Sequence, residues 1–404
     1  TKYPGKKGTV HLVPKGVVAV ISAWNFPVAL SLRAIVPALM SGNTVVFKPS
    51  SEALLVSKLL VECFDAVLPG DVLVPFYGPG ALGSEILEAK VDHLVFIGSV
   101  GVGREVAALA GRQLTSFALE LGGKDAAIVL ADADLDRAVE GIAWGAFSNC
   151  GQNCASIERL LVERSVADEF LSRLVARVQQ LRVAGPDPAA SDVGPLRNTA
   201  QIRAVQFQVD DAMGKGAAIL CGGSPVGDGY GFEPTILDGA TDEMLVWSEE
   251  TFGPVLPVRR VDDLEEAIAE ANDNRYGLTN SLWTTDVARA RNAARRLRCG
   301  VVTVNNHSFT GAMPFAPWGG TGETGVGSTN SHHALREMVR PQLVLTDRPR
   351  GHEFFWYPYD EVNLGLAKVL RRYLTGGGGL LDVLGRRKRA QRVRPTPGDG
   401  SEEA

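Results

Sequence analysis

Cysteine is scarce: five residues, an odd and scattered set, cannot form a disulfide framework for a chain of 404 residues. Cys63, Cys150, Cys154, Cys221 and Cys299 fit a reducing compartment instead, where thiols stay free. Long apolar runs are lacking too. No stretch approaches the roughly 18 residues a spanning helix needs, and membrane association is not expected. Nor is there an excess of positive charge. The formal net charge is −5, which gives no general basis for binding nucleic acid or an anionic membrane. The opening residues carry no charged-then-apolar leader, so the expected location is the cytoplasm. Internal repeats are missing, and no metal is expected, because Cys150, Cys154 and the pair His332-His333 have no ligand spacing.

What remains is an ordinary globular composition, 45% hydrophobic and 22% charged, long enough for two domains or one two-lobed enzyme. Short β-branched runs alternate with helical patterns from Gly16 to Leu121. Strands are expected at Gly16–Ile21, Thr44–Phe47, Val72–Phe76 and Leu94–Ile97. Helices are expected at Val28–Met40 and Ala53–Leu68. That order implies βαβ units around a parallel sheet, whose ligands sit beyond the carboxyl ends of its strands. A second α/β block runs from Lys124 to Gly320. Its clearest helix is Leu135–Phe147, with Asp132 and Asp134 as capping candidates, and its strands include Leu161–Val162, Val255–Val258 and Val301–Val304. From Arg350 the chain turns aromatic, then amphipathic over Leu364–Leu374, then glycine-rich. It carries the basic cluster Arg386-Arg387-Lys388-Arg389 and is expected to end in disorder.

Asn149-Cys150-Gly151-Gln152-Asn153-Cys154 follows the helix that ends at Phe147. A thiol in a glycine-containing loop can be accessible, and its thiolate is the reactive form. Taken alone, such a cysteine is more often simply packed. Its company elsewhere in the chain shifts the balance. Trp24-Asn25-Phe26-Pro27, Phe47-Lys48-Pro49-Ser50, Phe96-Ile97-Gly98-Ser99 with Gly103, and Leu119-Glu120-Leu121-Gly122-Gly123-Lys124 precede it. Arg159 lies five residues beyond Cys154, and Glu249-Glu250-Thr251-Phe252-Gly253-Pro254 and Pro317-Trp318-Gly319-Gly320 follow. Taken together, in this order and over Lys15 to Asp347, these segments resemble the aldehyde dehydrogenase superfamily.

The resemblance implies a two-lobed α/β fold with a Rossmann-like cofactor lobe and an α/β catalytic lobe. It divides the chain into a partial oligomerisation hairpin (1–15), an NAD(P)-binding domain (16–122), a catalytic domain (123–330), a C-terminal helix and oligomerisation strand (331–349) and a tail (350–404). It also implies a homodimer or homotetramer. Cys154 becomes the nucleophile toward a small-molecule aldehyde. The Asn25 amide and the Cys154 backbone N–H form an oxyanion hole, and Glu120 activates water. Two glycines after Glu120 are expected to permit a sharp turn.

NAD or NADP is the implied cofactor. Lys48 and Ser51 serve its adenosine end, and free N–H groups at Gly98 and Ser99, with Gly103 in the helix behind, face the pyrophosphate. Glu250 and Phe252 serve the nicotinamide end. Ser51 stands where many NAD-preferring relatives have glutamate, which implies NADP use. Glu120 argues against a coenzyme A-acylating relative, which generally lacks it. A catalytically silent member of the fold is the rival from another class, and fast labelling of Cys154 relative to Cys63 or Cys221 is the expected discriminator.

Other features depart from the family pattern. The relay lysine nine residues after Asn25 is replaced by Ala34, with Arg33 beside it. Only a short segment precedes Trp24, so the sheet is expected to expose an apolar face. Cys150 is either a small packed residue or a reversible disulfide partner of Cys154. Gly320-x-Gly322-x-x-Gly325 matches a dinucleotide fingerprint only as a string, because no strand precedes it.

Overall fold

The computed structural model describes residues 6–183, 190–227, 229–307, 309–347, 353, 355–357 and 359–375. The chain divides into a unit spanning Val13–Arg340 and a smaller one made of Thr1–Leu12 with Pro341–Ala404.

In the larger unit the first sheet has six strands. Their order is Gly325–Val326, Ser116–Glu120, His93–Ile97, Val17–Ile21, Thr44–Lys48 and Leu73–Pro75. All pairs are parallel except the first, where Gly325–Val326 runs antiparallel to Ser116–Glu120. Runs such as Val17-Val18-Ala19-Val20-Ile21 form strands because both faces are covered. Val18, Val20, Phe47 and Val95 pack against Ile35 and Ala38 of the helix Pro27–Met40 and Val61 of the helix Leu54–Asp65. Ala19, Leu94 and Phe96 meet Ile86 and Leu87 of the helix Leu82–Glu88 and Val106 and Ala110 of the helix Val100–Arg112.

The expected exposed sheet face is therefore covered. The exposed apolar groups lie on the helices instead, at Met40, Leu55 and Leu59. The helix expected at Ala53–Leu68 is shorter at both ends. A 3-10 turn, Ser51–Ala53, precedes it, and Pro69 keeps Leu68 out of the helical region.

The second sheet has seven strands. They follow the order Val301–Val304, Thr279–Trp283, Asp125–Val129, Ile157–Glu163, Val255–Val261, Thr235–Asp238 and Ala218–Cys221. Only the last pair is antiparallel. The helices Leu135–Phe147 and Arg164–Val178 pack on this sheet and on each other, sealing the largest core. Asp134 caps Leu135–Phe147 through the Arg137 N–H. Asp132 does not cap it; its carboxylate accepts from the Thr284 hydroxyl at 2.7 Å and the Thr285 N–H at 3.1 Å. Only Leu121 to Lys124 separates the strand ending at Glu120 from the strand starting at Asp125. The connection between the two sheets thus begins at the carboxyl end of a parallel strand, where ligands bind in such folds.

Lys7–Pro14 and Val339–Thr346 pair as a two-stranded sheet, most of whose residues belong to the smaller unit, and a helix of that unit spans Glu361–Leu374. Among the described residues no helix is long and apolar enough to cross a membrane. The glycine-rich and basic end of the chain lies outside the described residues.

Candidate active site

Past Phe147 the chain enters a short turn, Ser148–Gly151, in which Asn149, Cys150 and Gly151 all have left-handed backbone at φ 51°, 58° and 68°. Such residues cost on the order of 1–3 kcal/mol each when they carry a side chain, so the surroundings must hold them. A Cβ at Gly151 would lie 2.1 Å from the Gly253 carbonyl oxygen, which demands glycine. Gln152 is buried and fastens the turn. Its amide donates to the carbonyls of Asn149 and Pro195, both at 3.1 Å, and its oxygen accepts from the Arg197 N–H at 2.8 Å. This rigid lead-in sets Cys154 at the wall of a cavity of about 330 Å³.

The same cavity is lined by Asn25, Gly98, Ser99, Glu120, Glu250 and Phe252. Asn25 lies just before the helix Pro27–Met40, and its amide donates to the Gln152 carbonyl at 3.2 Å. Glu120 ends its strand and accepts from the Thr329 hydroxyl at 3.3 Å. Burial pushes its carboxyl up to about 7, and the Arg33 guanidinium opposes the shift. Burial, reinforced by Glu120, Asp125 and Glu250, pushes the Cys154 thiol up to about 12.

Glu250 is raised to about 8 by burial and by Glu158, while its carboxylate accepts from the Gly123 N–H at 3.0 Å. A Cβ on Gly122 would lie 2.4 Å from the Glu250 carboxylate, and one on Gly123 would lie 2.2 Å from the Cys154 carbonyl oxygen. Neither glycine has left-handed φ. The expected sharp turn is therefore replaced by a need for close approach.

The aldehyde dehydrogenase family model matches residues 1–344. A protein of Mycolicibacterium smegmatis named "Putative succinate-semialdehyde dehydrogenase [NADP(+)]" is 40% identical over 347 residues, covering 85% of this chain and 67% of that protein. The chain belongs to the aldehyde dehydrogenase family. Its class is that of NAD(P)-dependent oxidoreductases acting on aldehydes. The crystal structure of an NAD-dependent aldehyde dehydrogenase from Sinorhizobium meliloti superposes with a TM-score of 0.84 at 33% identity. It covers 87% of this chain and 70% of that one. An NADP-dependent glyceraldehyde-3-phosphate dehydrogenase from Bacillus halodurans, complexed with NADP, gives 0.81 at 37% identity and covers 85% and 72%.

Of the residues singled out in this aldehyde dehydrogenase sequence, Cys154, Glu120, Asn25, Gly98, Ser99, Glu250 and Phe252 share the cavity, while Lys48, Ser51 and Gly103 do not line it. Lys48 is buried and donates to the Pro49 carbonyl at 3.2 Å, and Ser51 is exposed. Gly103 serves packing: a Cβ there would meet the Leu121 side chain at 2.5 Å. The Gly98 N–H is not free, because it donates to the Glu120 carbonyl at 3.0 Å. Ser99 does open the helix Val100–Arg112, whose first-turn N–H groups have no carbonyl one turn back.

Gly322–Thr324 is a 3-10 turn leading into the antiparallel edge strand, so the string beginning at Gly320 has no βαβ surroundings. Cys150 is buried and free, and burial raises its thiol to about 12, which is the packed alternative. Burial, which raises the Cys154 thiol, works against fast labelling in the cofactor-free protein.

Two partners, Glu158 and Arg197, escaped sequence reasoning, and Arg33 was noted there only as the neighbour of Ala34. Glu158 lies in a strand of buried residues, where a charge signals a pair. Its carboxylate meets the Lys124 ammonium at 2.7 Å and accepts from the N–H groups of Thr251 at 2.7 Å and Phe252 at 2.9 Å. Phe252 itself has φ 49°, so Glu158 pins a strained residue of the cavity wall. Arg33 lies 5.1 Å over the Trp318 ring and donates to the Gly311 carbonyl at 2.6 Å, close enough to Glu120 and Cys154 to act on both by charge. Arg197 also lines the cavity.

Proposed function

We propose that this enzyme oxidises an aldehyde to the carboxylic acid through a thioester on Cys154, with water as the acyl acceptor. The observation that carries the reading is the convergence of Cys154, Asn25 and Glu120 on one cavity whose other wall holds Glu250 and Phe252. The Cys154 sulfur adds to the aldehyde carbon, and its proton passes to Glu120, whose raised carboxyl suits proton exchange near neutrality. Developing charge on the substrate oxygen meets the Cys154 N–H and the Asn25 amide. An amide has two N–H bonds, and only one is committed to Gln152. Donors of this kind contribute about 10²–10³ in rate each.

The same cavity is read as the nicotinamide and diphosphate end of a dinucleotide site, with Glu250 assigned to a ribose diol, Phe252 to an aromatic ring and the helix opened by Ser99 to phosphate; their shared place in the lining supports this. A bound nicotinamide supplies the hydride acceptor. Once two electrons and the hydrogen have left the carbon, the acyl group remains on sulfur. Glu120, having passed its first proton to solvent, takes one from water; the water oxygen bonds to the acyl carbon, the carbon–sulfur bond breaks, the acid leaves, and Glu120 returns the proton to the Cys154 thiolate.

Lys48 and Ser51 belong to the adenosine end of the site, and Ser51 in place of a carboxylate favours NADP alongside NAD. A semialdehyde heads the substrate panel, in keeping with the name of the mycobacterial relative. The two-stranded sheet Lys7–Pro14 with Val339–Thr346 exposes Val10, Leu12, Leu343 and Leu345, the surface proposed for a homo-oligomeric contact. Free thiols at all five cysteines are in keeping with a cytoplasmic setting.

The test is absorbance at the reduced-nicotinamide band with an aldehyde panel, NAD and NADP separately, and no coenzyme A. Signal in the wild type that vanishes in Cys154→Ala supports the reading. Reduction that depends on coenzyme A overturns the choice of water, and no reduction from folded protein overturns the activity.

A further inference from the structure

Among the described residues Arg197 is the only basic side chain lining the Cys154 cavity; the other ionisable residues of the lining are Glu120, Cys154 and Glu250. Its guanidinium lies 4.8 Å over the Trp24 ring, and Trp24 in turn meets Phe252 edge to face at 5.7 Å. Among the described residues that guanidinium has no carboxylate partner and no hydrogen bond; only the Arg197 backbone N–H is engaged, by Gln152. An arginine held by stacking, with its planar edge left open, is arranged to take an oxyanion by charge-assisted hydrogen bonds.

The geometry points to Arg197 as the cation that holds the cofactor's diphosphate, a role that rests on reading this cavity as the dinucleotide site. Three observations favour the diphosphate over other anions. The helix opened by Ser99 presents its N-terminus to the same cavity, so two independent positive features share it. Glu120 and Glu250 in the lining repel an anionic ligand as they ionise, a repulsion that a nearby cation offsets. A 2′-phosphate belongs to the adenosine end near Ser51, which does not line this cavity. Gln152 joins the Arg197 backbone to the turn that carries Cys154. Anchoring the diphosphate therefore also braces the loop of the nucleophile.

The test is equilibrium binding followed by tryptophan fluorescence, with NAD, NADP and ADP-ribose as probes. Wild type, Arg197→Ala, Arg197→Lys and the control Arg203→Ala, an exposed arginine on the helix Thr199–Gly214 that follows Arg197 and outside the cavity lining, are compared. The expected result is a rise in Kd of about tenfold for all three probes in Arg197→Ala, the size of one charge-assisted hydrogen bond. Arg197→Lys recovers part of it, and Arg203→Ala is unchanged. A loss confined to NADP overturns the diphosphate assignment in favour of a 2′-phosphate contact. Equal losses in Arg197→Ala and Arg203→Ala reduce it to general surface charge, and unchanged Kd values in Arg197→Ala overturn it outright. If the folded wild type binds none of the probes, it is the dinucleotide reading of the cavity that fails.

Discussion

Replacing Glu158 with alanine removes three contacts at once. The carboxylate is 2% exposed and its partner Lys124 0%, so neither charge has water to fall back on. Taking one member from a buried ion pair costs about 3–5 kcal/mol, mostly for the charge left behind. For a unit the size of Val13–Arg340 that corresponds to a fall in Tm of roughly 4–7 °C. The N–H groups of Thr251 and Phe252 lose their acceptor as well, which frees the left-handed Phe252 and the adjoining Glu250 to move. Cofactor affinity should fall together with stability.

The assay is thermal and denaturant unfolding of wild type, Glu158→Ala, Lys124→Met and the double variant, with NADP binding measured on each. A coupling energy of a few kcal/mol, with the double variant more stable than the sum of the singles, is the expected outcome. A Glu158→Ala protein within about 1 kcal/mol of wild type, or strictly additive variants, would refute the reasoning.

Three further outcomes follow from the same geometry. Glu120 and Glu250 titrate near 7 and 8 in the folded chain, above the ordinary carboxyl value of 4.5. Their contribution to stability is whole below pH 4.5 and is lost as pH rises through 7 and 8. The cofactor-free Tm should therefore decline from pH 5 to pH 8.5, less steeply in Glu120→Gln; a Tm that rises across this window contradicts the assignment. Burial and the surrounding carboxyl groups keep the Cys154 thiol protonated at pH 7 in the cofactor-free protein. Iodoacetamide should therefore label Cys154 more slowly than exposed Cys63 in the cofactor-free protein, as peptide mapping can show, and the reverse order sinks the idea. Gly122→Ala places a Cβ 2.4 Å from the Glu250 carboxylate. Overpacking of about 1–3 kcal/mol should appear as a tenfold or larger rise in the Kd of NADP, with the fold retained; an unchanged Kd means that the Glu250 position does not matter for binding.

The parts legible in the sequence were those decided locally. Leu135–Phe147 and Val301–Val304 coincide with their expected bounds, because periodicity, caps and β-branched runs act over a few residues. The motif residues were legible through resemblance, and the structure brings seven of the ten named site residues to one cavity. What stayed hidden depended on partners distant in sequence. Asp132 looks like a cap until Thr284, 152 residues away, claims its carboxylate. Gly122 looks like a turn glycine until Glu250 is set against it. The Gly98 N–H looks available until the Glu120 carbonyl takes it. Arg197 shows nothing in its own neighbourhood, since its significance comes from the stack on Trp24 and from a cavity assembled from segments distant in sequence.

The edge strand Gly325–Val326 has a bearing on how the enzyme comes to be made. Asn25, Glu120, Cys154 and Glu250 have all been synthesised before it emerges, yet the surroundings of Glu120 are still unfinished. Thr324 has yet to receive the Leu121 N–H and to donate to the Gly122 carbonyl, and Thr329 has yet to reach the Glu120 carboxylate. Those contacts span 202 to 209 residues, among the last a growing polypeptide can make. A chain arrested on the ribosome before this point would carry every reactive group and still lack a finished site. The surroundings of Glu120 are thus completed only after its own strand and the late edge strand have both been made.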